Sequence, residues 1–286
     1  MVSEKIIENI IIKKINEVSK YLSSINMTNY ITLTTRDDYT WLTLHKPPVN
    51  AMTLELLQEL LSTLKGVQQN PPSRGLIIDS STNVFSAGVD LNELVHPNPT
   101  RFRELWNCFQ DVLICLYSSP LVTVAMMGGA AVGGGCALAL CCDYRIAVEG
   151  DYKIGVNAVR LGMPVPRIVC RLTEVVLGHR TAEKYLLPGR LVNPVDALQC
   201  GFVDEIVSAD KFRMHVVAVM NNWLEVPDFG RTVTQNILRQ KLIAEFEEFK
   251  EKDTEMFANC VGSEMFQKSI GEYLNELKSN RTGSKL

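Results

Sequence analysis

The hydrophobic pattern changes period along this chain, and each change marks an element. YITLTTRDDYTWLTLHKP, residues 30–47, alternates apolar and polar positions in two runs and predicts two strands joined at residues 36–38. TLELLQELLSTLKGV then repeats at helical spacing, with Thr53 placed to cap it. RGLIIDSS reads as a short buried strand, RFRELWNCFQDVLICLYSS as a long helix ended before Pro120, and LVTVAMM as another buried strand. VGGGCALALCC opens a helix directly from glycines, and DYRIAVE returns as a strand. Beyond Pro227 only helical periods remain, in TVTQNILRQKLIAEFEEFKEK and SEMFQKSIGEYLNELKSN.

Strands alternating with helices make the fold class α/β, with helices covering a sheet. Composition is even from 30 to 225, so this stretch reads as one core, followed by a helical region at 226–278 and a polar tail at 279–286. Residues 1–29 stand apart as an extra N-terminal amphipathic helix. Ile7, Ile11, Ile15, Val18 and Leu22 fall on one face, and Ser3 is a candidate cap. This segment has no Arg and carries Glu4, Glu8 and Glu17, unlike a mitochondrial presequence. A helix packed on the body or on a partner is the expectation.

Charge narrows the partners. With a net charge of −3 and no basic stripe, the chain does not suit nucleic acid, and no apolar run reaches the roughly 18 residues of a membrane span. Eight cysteines occur without a CxxC pair, and His45, His96, His179 and His215 are scattered, which supports neither a zinc site nor a disulfide framework. Reduced, buried thiols are expected. The final Ser284, Lys285 and Leu286 form an address read by the peroxisomal import receptor, pointing to the peroxisome or glycosome matrix, with the mitochondrial matrix as the alternative.

Candidate chemistry lies in VFSAGVDLNEL (84–94) and GGAAVGGGCALAL (128–140). Each is expected to run from a buried strand through a glycine turn into a helix. Glycine lets backbone N–H groups face a cavity that a Cβ would obstruct, and a helix start adds unpaired amides and a positive dipole end. Two such turns facing each other would offer the amides of Val89 and Gly134 to one carbonyl oxygen, an oxyanion hole. Tight strand–helix packing is the plainer role for the same glycines. GGAAVGGGC lacks the Lys–Ser/Thr of a phosphate loop, and Gly129, Gly133 and Gly134 do not fit GxGxxG.

FSAGVDL, AVGGGCALALCCDYRIA, GHRTAEKYLLPGRLVNPVDALQCGFVDEIV and HKPPVNAM together resemble the crotonase, or enoyl-CoA hydratase/isomerase, superfamily. YKIGVNAVRLGM and FQKSIGEYLNELK are similar to the mitochondrial-type Δ3,Δ2-enoyl-CoA isomerase branch, and the resemblance runs from about residue 30 to 278. It implies a crotonase-type spiral of ββα units with a C-terminal helical trimerisation region, assembled as a homotrimer or a hexamer. It also implies a fatty acyl-CoA thioester ligand in β-oxidation and no cofactor apart from the coenzyme A of that ligand. The thioester oxygen would lie between the Val89 and Gly134 amides. Coenzyme A would pass along Lys46, Pro47, Val49, Asn50, Ala51 and Met52 and along Ser86, Ala87 and Gly88, with Gly133 and Gly135 flanking the second turn.

One part of that pattern is absent. The resemblance places the first hydratase glutamate on Ala137 and the second, which is the isomerase base, on Ala158; the further acid of dienoyl-CoA isomerases falls near Pro166. A general base contributes typically 10²–10⁴-fold. Three explanations stand. In the first, another side chain reaches in, Asp90 or Glu93, although packing at a helix start, with Asp90 as its cap, is their plainer role; Asn157 and Arg160 flank the gap but are poor bases, and His96 sits on a loop that would fold over the pocket. A base-independent reaction such as acyl-CoA decarboxylation needs only a stabilised enolate. Finally, the chain would serve as a non-catalytic acyl-CoA binder or assembly subunit.

Overall fold

Beyond an opening hairpin, successive strands alternate between two sheets as the chain advances. In the computed structural model, which describes residues 29–69 and 73–283, β1 (Ile31–Thr35) and β2 (Tyr39–Leu44) form the expected antiparallel hairpin, with Ile31 opposite Leu44. β3 (Gly75–Ser80), β5 (Val122–Met127), β7 (Tyr144–Val148) and β9 (Glu205–Val207) extend it in parallel, giving the order β1-β2-β3-β5-β7-β9. β4 (Val84–Ser86), β6 (Ala130–Val132) and β8 (Ile154–Gly155) form a second, parallel sheet. From β3 to β8 each turn of the chain thus gives one strand to the large sheet, the next to the small sheet, and then a helical segment. This is the ββα spiral that the resemblance implies.

The helices are α1 (Leu54–Gln69), α2 (Pro99–Tyr117), α3 (Gly134–Leu140), α4 (Arg167–Leu177), α5 (His179–Leu186), α6 (Pro194–Cys200), α7 (Phe212–Leu224), α8 (Asp228–Gly262) and α9 (Glu264–Gly283). α2 begins ahead of Arg101 because the Asn98 side chain accepts the Thr100 and Arg101 amides and Pro99 starts the helix. α9 continues past residue 278, where the polar composition predicted a tail. The N-terminal amphipathic segment and Ser284, Lys285 and Leu286 lie outside the described residues.

Both faces of the large sheet are covered, which is why its central strands read as unbroken apolar runs. On one face Trp41, Ile77, Val122, Val124 and Ile146 meet Phe212, Val216, Met220 and Leu224 of α7. On the other, Leu42, Leu76, Ile78 and Ala125 join a larger core with α1, α2, α3 and α8. Trp106 anchors that core, its ring 5.6 Å from Phe102 and 4.4 Å from Phe257, and so fastens α2 to α8. Asp143 ties α8 to the sheet: one oxygen accepts the Thr123 amide and hydroxyl, and the other accepts Arg239 at 2.6 Å.

The eight cysteines are free: Cys108, Cys136, Cys141 and Cys142 are buried, whereas Cys115, Cys170, Cys200 and Cys260 are half-buried. Burial pushes the Cys136 and Cys142 thiols up to about 12. Among the described residues no cluster of three metal-ligating side chains occurs, and no helix is long and apolar enough to cross a membrane.

Candidate active site

Register in the small sheet decides what meets at its carboxyl end. β4 and β6 pair in parallel with Ser86 opposite Ala131, and β6 pairs with β8 with Val132 opposite Gly155. Three chain segments therefore leave the same end side by side: Gly88–Val89 after β4, Gly133–Gly134 after β6, and Asn157–Ala158 after β8. Sequence spacing names these residues separately. Strand pairing brings them together.

The two glycine turns touch closely. Gly88 has φ +82°, and a Cβ there would lie 2.6 Å from the Gly134 nitrogen and 2.7 Å from the Val132 oxygen. At Gly135 a Cβ would fall 2.2 Å from the Ser86 carbonyl oxygen. Only glycine allows this approach. Val89 forms a parallel bridge with Met52: the Met52 amide donates to the Gly88 carbonyl at 2.8 Å, and the Asp90 amide donates to the Met52 carbonyl at 3.0 Å. In that arrangement the Val89 N–H points away from Met52. It finds no partner among the described residues, and neither does the Gly134 N–H, which starts α3. The first turn differs from expectation in one respect. It leads into a single 3₁₀ turn, Leu91–Glu93, so only the Gly134 amide has an α-helix behind it.

Val89 and Gly134 both line one cavity of 720 Å³. Of the residues singled out in the sequence, Lys46, Pro47, Val49, Ala51, Ala87, Val89, Asp90, Gly133, Gly134 and Ala158 lie on its wall. Asn50, Met52, Ser86, Gly88, Gly135 and Ala137 do not line it; they form the frame behind it. Asn50 is fully buried with φ 48°, and its side-chain oxygen accepts the Lys46 amide at 2.7 Å. Its Nδ2 donates to Ser80 Oγ at 2.7 Å and to the Val84 and Phe85 carbonyls at 3.1 Å each. Ser86 Oγ donates to the Asn50 carbonyl and accepts the Gly88 amide. Asn50→Ala strands several of these groups, and should lower unfolding free energy by about 2–4 kcal/mol in denaturant titration.

The candidate acids separate. Glu93 is turned onto Arg101, which donates Nε to it at 2.8 Å and also pairs with Glu55, and it stays off the cavity. Arg101 holds the Glu55 carboxyl down at about 2, chiefly by this hydrogen bond. Asp90 is the cavity's one carboxylate among the described residues. Its Oδ1 accepts the Asn92 amide and Nδ2, capping the 3₁₀ turn, and its Oδ2 lies 3.8 Å from Lys46 Nζ. Both oxygens are therefore engaged. His96 and Arg160 are absent from the wall; Arg160 Nε donates to the Pro188 and Gly189 carbonyls.

Ala158 sits on the wall, among Val156, Leu161, Pro166 and Val169, whereas Ala137 is fully buried in α3. Beside it Asn157 is 9% exposed, and its carboxamide has no hydrogen bond among the described residues. Sequence reasoning did not assign wall positions to Trp106 and Phe109 of α2 or Tyr273 and Leu274 of α9. Their helical periodicity signals burial without saying against what.

The chain is thus an α/β protein whose parallel-stranded spiral brings Val89 and Gly134 together on the wall of one mostly apolar cavity. The enoyl-CoA hydratase/isomerase family model matches residues 38–283, and the chain belongs to that family. It is 36% identical over 240 residues to mitochondrial enoyl-CoA delta isomerase 1 of Mus musculus, covering 83% of each chain. To the Homo sapiens protein of that name it is 35% identical over 237 residues, covering 82% of this chain and 78% of the relative. The crystal structure of human mitochondrial delta3-delta2-enoyl-CoA isomerase superposes with a TM-score of 0.85 at 32% identity, over 88% of this chain and 99% of that one.

Proposed function

We propose that this chain is an acyl-CoA thioester enzyme of the enoyl-CoA isomerase type, working through an enolate held by the Val89 and Gly134 amides. The observation that carries this is the pair of backbone N–H groups that the fold leaves unpartnered on one cavity. A thioester oxygen placed between them gains negative charge when C2 loses a proton, and each such donor is worth about 2.7–4 kcal/mol in comparable sites. Shifting a double bond from C3 to C2 then needs that proton removed from C2 and one returned at C4. The apolar residues beside Ala158 suit the acyl chain, and Lys46 at the wall suits the anionic coenzyme A. With Asp90 committed to its cap and to Lys46, proton transfer falls to water, and turnover is slow.

Calorimetric titration with octanoyl-CoA and with free coenzyme A tests the binding half of this reading. The thioester should bind about tenfold tighter or more, a difference of about 1.4 kcal/mol. Equal affinities would sink it. The same reading includes homotrimeric assembly, supported by the exposed Phe229, Ile237 and Leu238 on α8. It also includes work in an organelle that oxidises fatty acids. The named mitochondrial relatives favour the mitochondrial matrix; Ser284, Lys285 and Leu286 favour the peroxisome or glycosome.

A further inference from the structure

We infer that Trp106 makes this cavity selective for acyl-CoA thioesters whose chain carries an oxo group several carbons beyond the thioester, the indole Nε1–H donating to that ketone oxygen. The inference rests on the acyl-CoA reading above and names a substrate class within it. Among the described residues four buried side-chain polar atoms lack a hydrogen-bond partner: Asp79 Oδ1, Arg145 Nε, Arg231 Nε and Trp106 Nε1. Arg145 and Arg231 are bonded through their other nitrogens, and neither they nor Asp79 reach the cavity. Trp106 is 1% exposed, has a single polar atom, and is the one of the four on the cavity wall. A buried donor without a partner costs free energy that an acceptor on the ligand recovers. A plain acyl chain offers it nothing.

The company of the indole narrows the acceptor. Phe102 and Phe257 stack on the ring at interplanar angles of 20° and 24°. The N–H lies in the ring plane, so neither stacked face can accept it. The other core residues on the wall, among them Phe109, Leu94, Met163 and Val169, bring no hydroxyl, amide or charge. A carboxylate would be desolvated there against a single neutral donor, and a hydroxyl would bring a proton of its own with no acceptor. A ketone oxygen only accepts, which matches a lone donor. Its place along the chain follows from α2. Phe109 packs on the second glycine turn, where a Cβ on Gly134 would lie 3.1 Å from its ring. Trp106 stands one helical turn earlier on α2, its ring centroid 5.5 Å from that of Phe109. A chain anchored by its thioester at Gly134 passes Phe109 before it reaches Trp106, so the oxo group falls beyond C3.

Octanoyl-CoA and its oxo analogues, with the ketone at C4, C5, C6 or C7, are the probes, compared by calorimetric titration. Wild-type protein should bind at least one oxo analogue as tightly as octanoyl-CoA or more tightly, although the ketone makes the chain less apolar. Trp106→Phe keeps a ring for Phe102 and Phe257 to stack on and removes the N–H. It should lower the affinity for that analogue relative to octanoyl-CoA about tenfold. A second measurement needs no variant. In wild-type protein carrying isotopically labelled tryptophan, one of the three indole N–H resonances should move downfield with that analogue and not with octanoyl-CoA. If octanoyl-CoA binds while every oxo analogue is weaker by the same factor in both proteins, or moves no indole resonance that octanoyl-CoA leaves in place, this inference is overturned and the acyl-CoA reading stands. Failure to bind any of the thioesters would overturn both.

Discussion

Replacing Ala158 by glutamate is expected to raise the rate of 3-enoyl-CoA isomerisation by about 10²–10⁴-fold, the usual contribution of a positioned general base. The side chain at 158 already faces the cavity, from the end of the strand next to the one that delivers Gly134. Apolar walls at Val156, Leu161 and Val169 would raise the new carboxyl's pKa and with it the basicity needed to take a C2 proton. The cavity of 720 Å³ leaves room for the longer side chain. A spectrophotometric assay of conjugated 2-enoyl product measures the gain. Ala137→Glu is the contrast, because Ala137 is fully buried in α3 and off the wall; a carboxylate there has no solvent and no substrate and should destabilise without activating. An Ala158→Glu protein that binds acyl-CoA normally yet gains no turnover would remove the idea that only a base is lacking.

The long elements were plain in the sequence, because each buries one stripe and shows it as a period. Thr53 begins α1, and Pro120 follows the end of α2. The division of strands between two sheets was not legible. β4, β6 and β8 run for three, three and two residues, too short to display any alternation. Their glycine turns could be named in advance, yet their meeting depends on pairing of Ser86 with Ala131 and of Val132 with Gly155, which is tertiary. Asn50 shows a further limit. A polar residue in HKPPVNAM looks like a ligand contact, but it is fully buried and spends its hydrogen bonds on the frame. Glu93 is similar: an acid close to the turn in sequence is captured by Arg101, a partner that spacing alone does not reveal.

The amide pair is most directly tested at Gly88. Gly88→Ala should lower acyl-CoA kcat/KM by about 10²–10³-fold, the loss of one oxyanion donor, read in the Ala158→Glu background so that turnover is measurable. Its φ of +82° already disfavours a side chain. The added Cβ would sit 2.6 Å from the Gly134 nitrogen and 2.7 Å from the Val132 oxygen, and both are backbone atoms that no rotamer change can move aside. The turns after β4 and β6 must therefore separate, and the two donors can no longer converge on one oxygen. Gly66→Ala provides the matched control, since nothing lies within 4 Å of its added Cβ in α1. That change should stabilise the fold by about 0.5–1 kcal/mol and leave activity alone. Retention of full activity by a folded Gly88→Ala protein would mean that the thioester oxygen is stabilised elsewhere, because no arrangement preserving both amides fits a methyl group into that space.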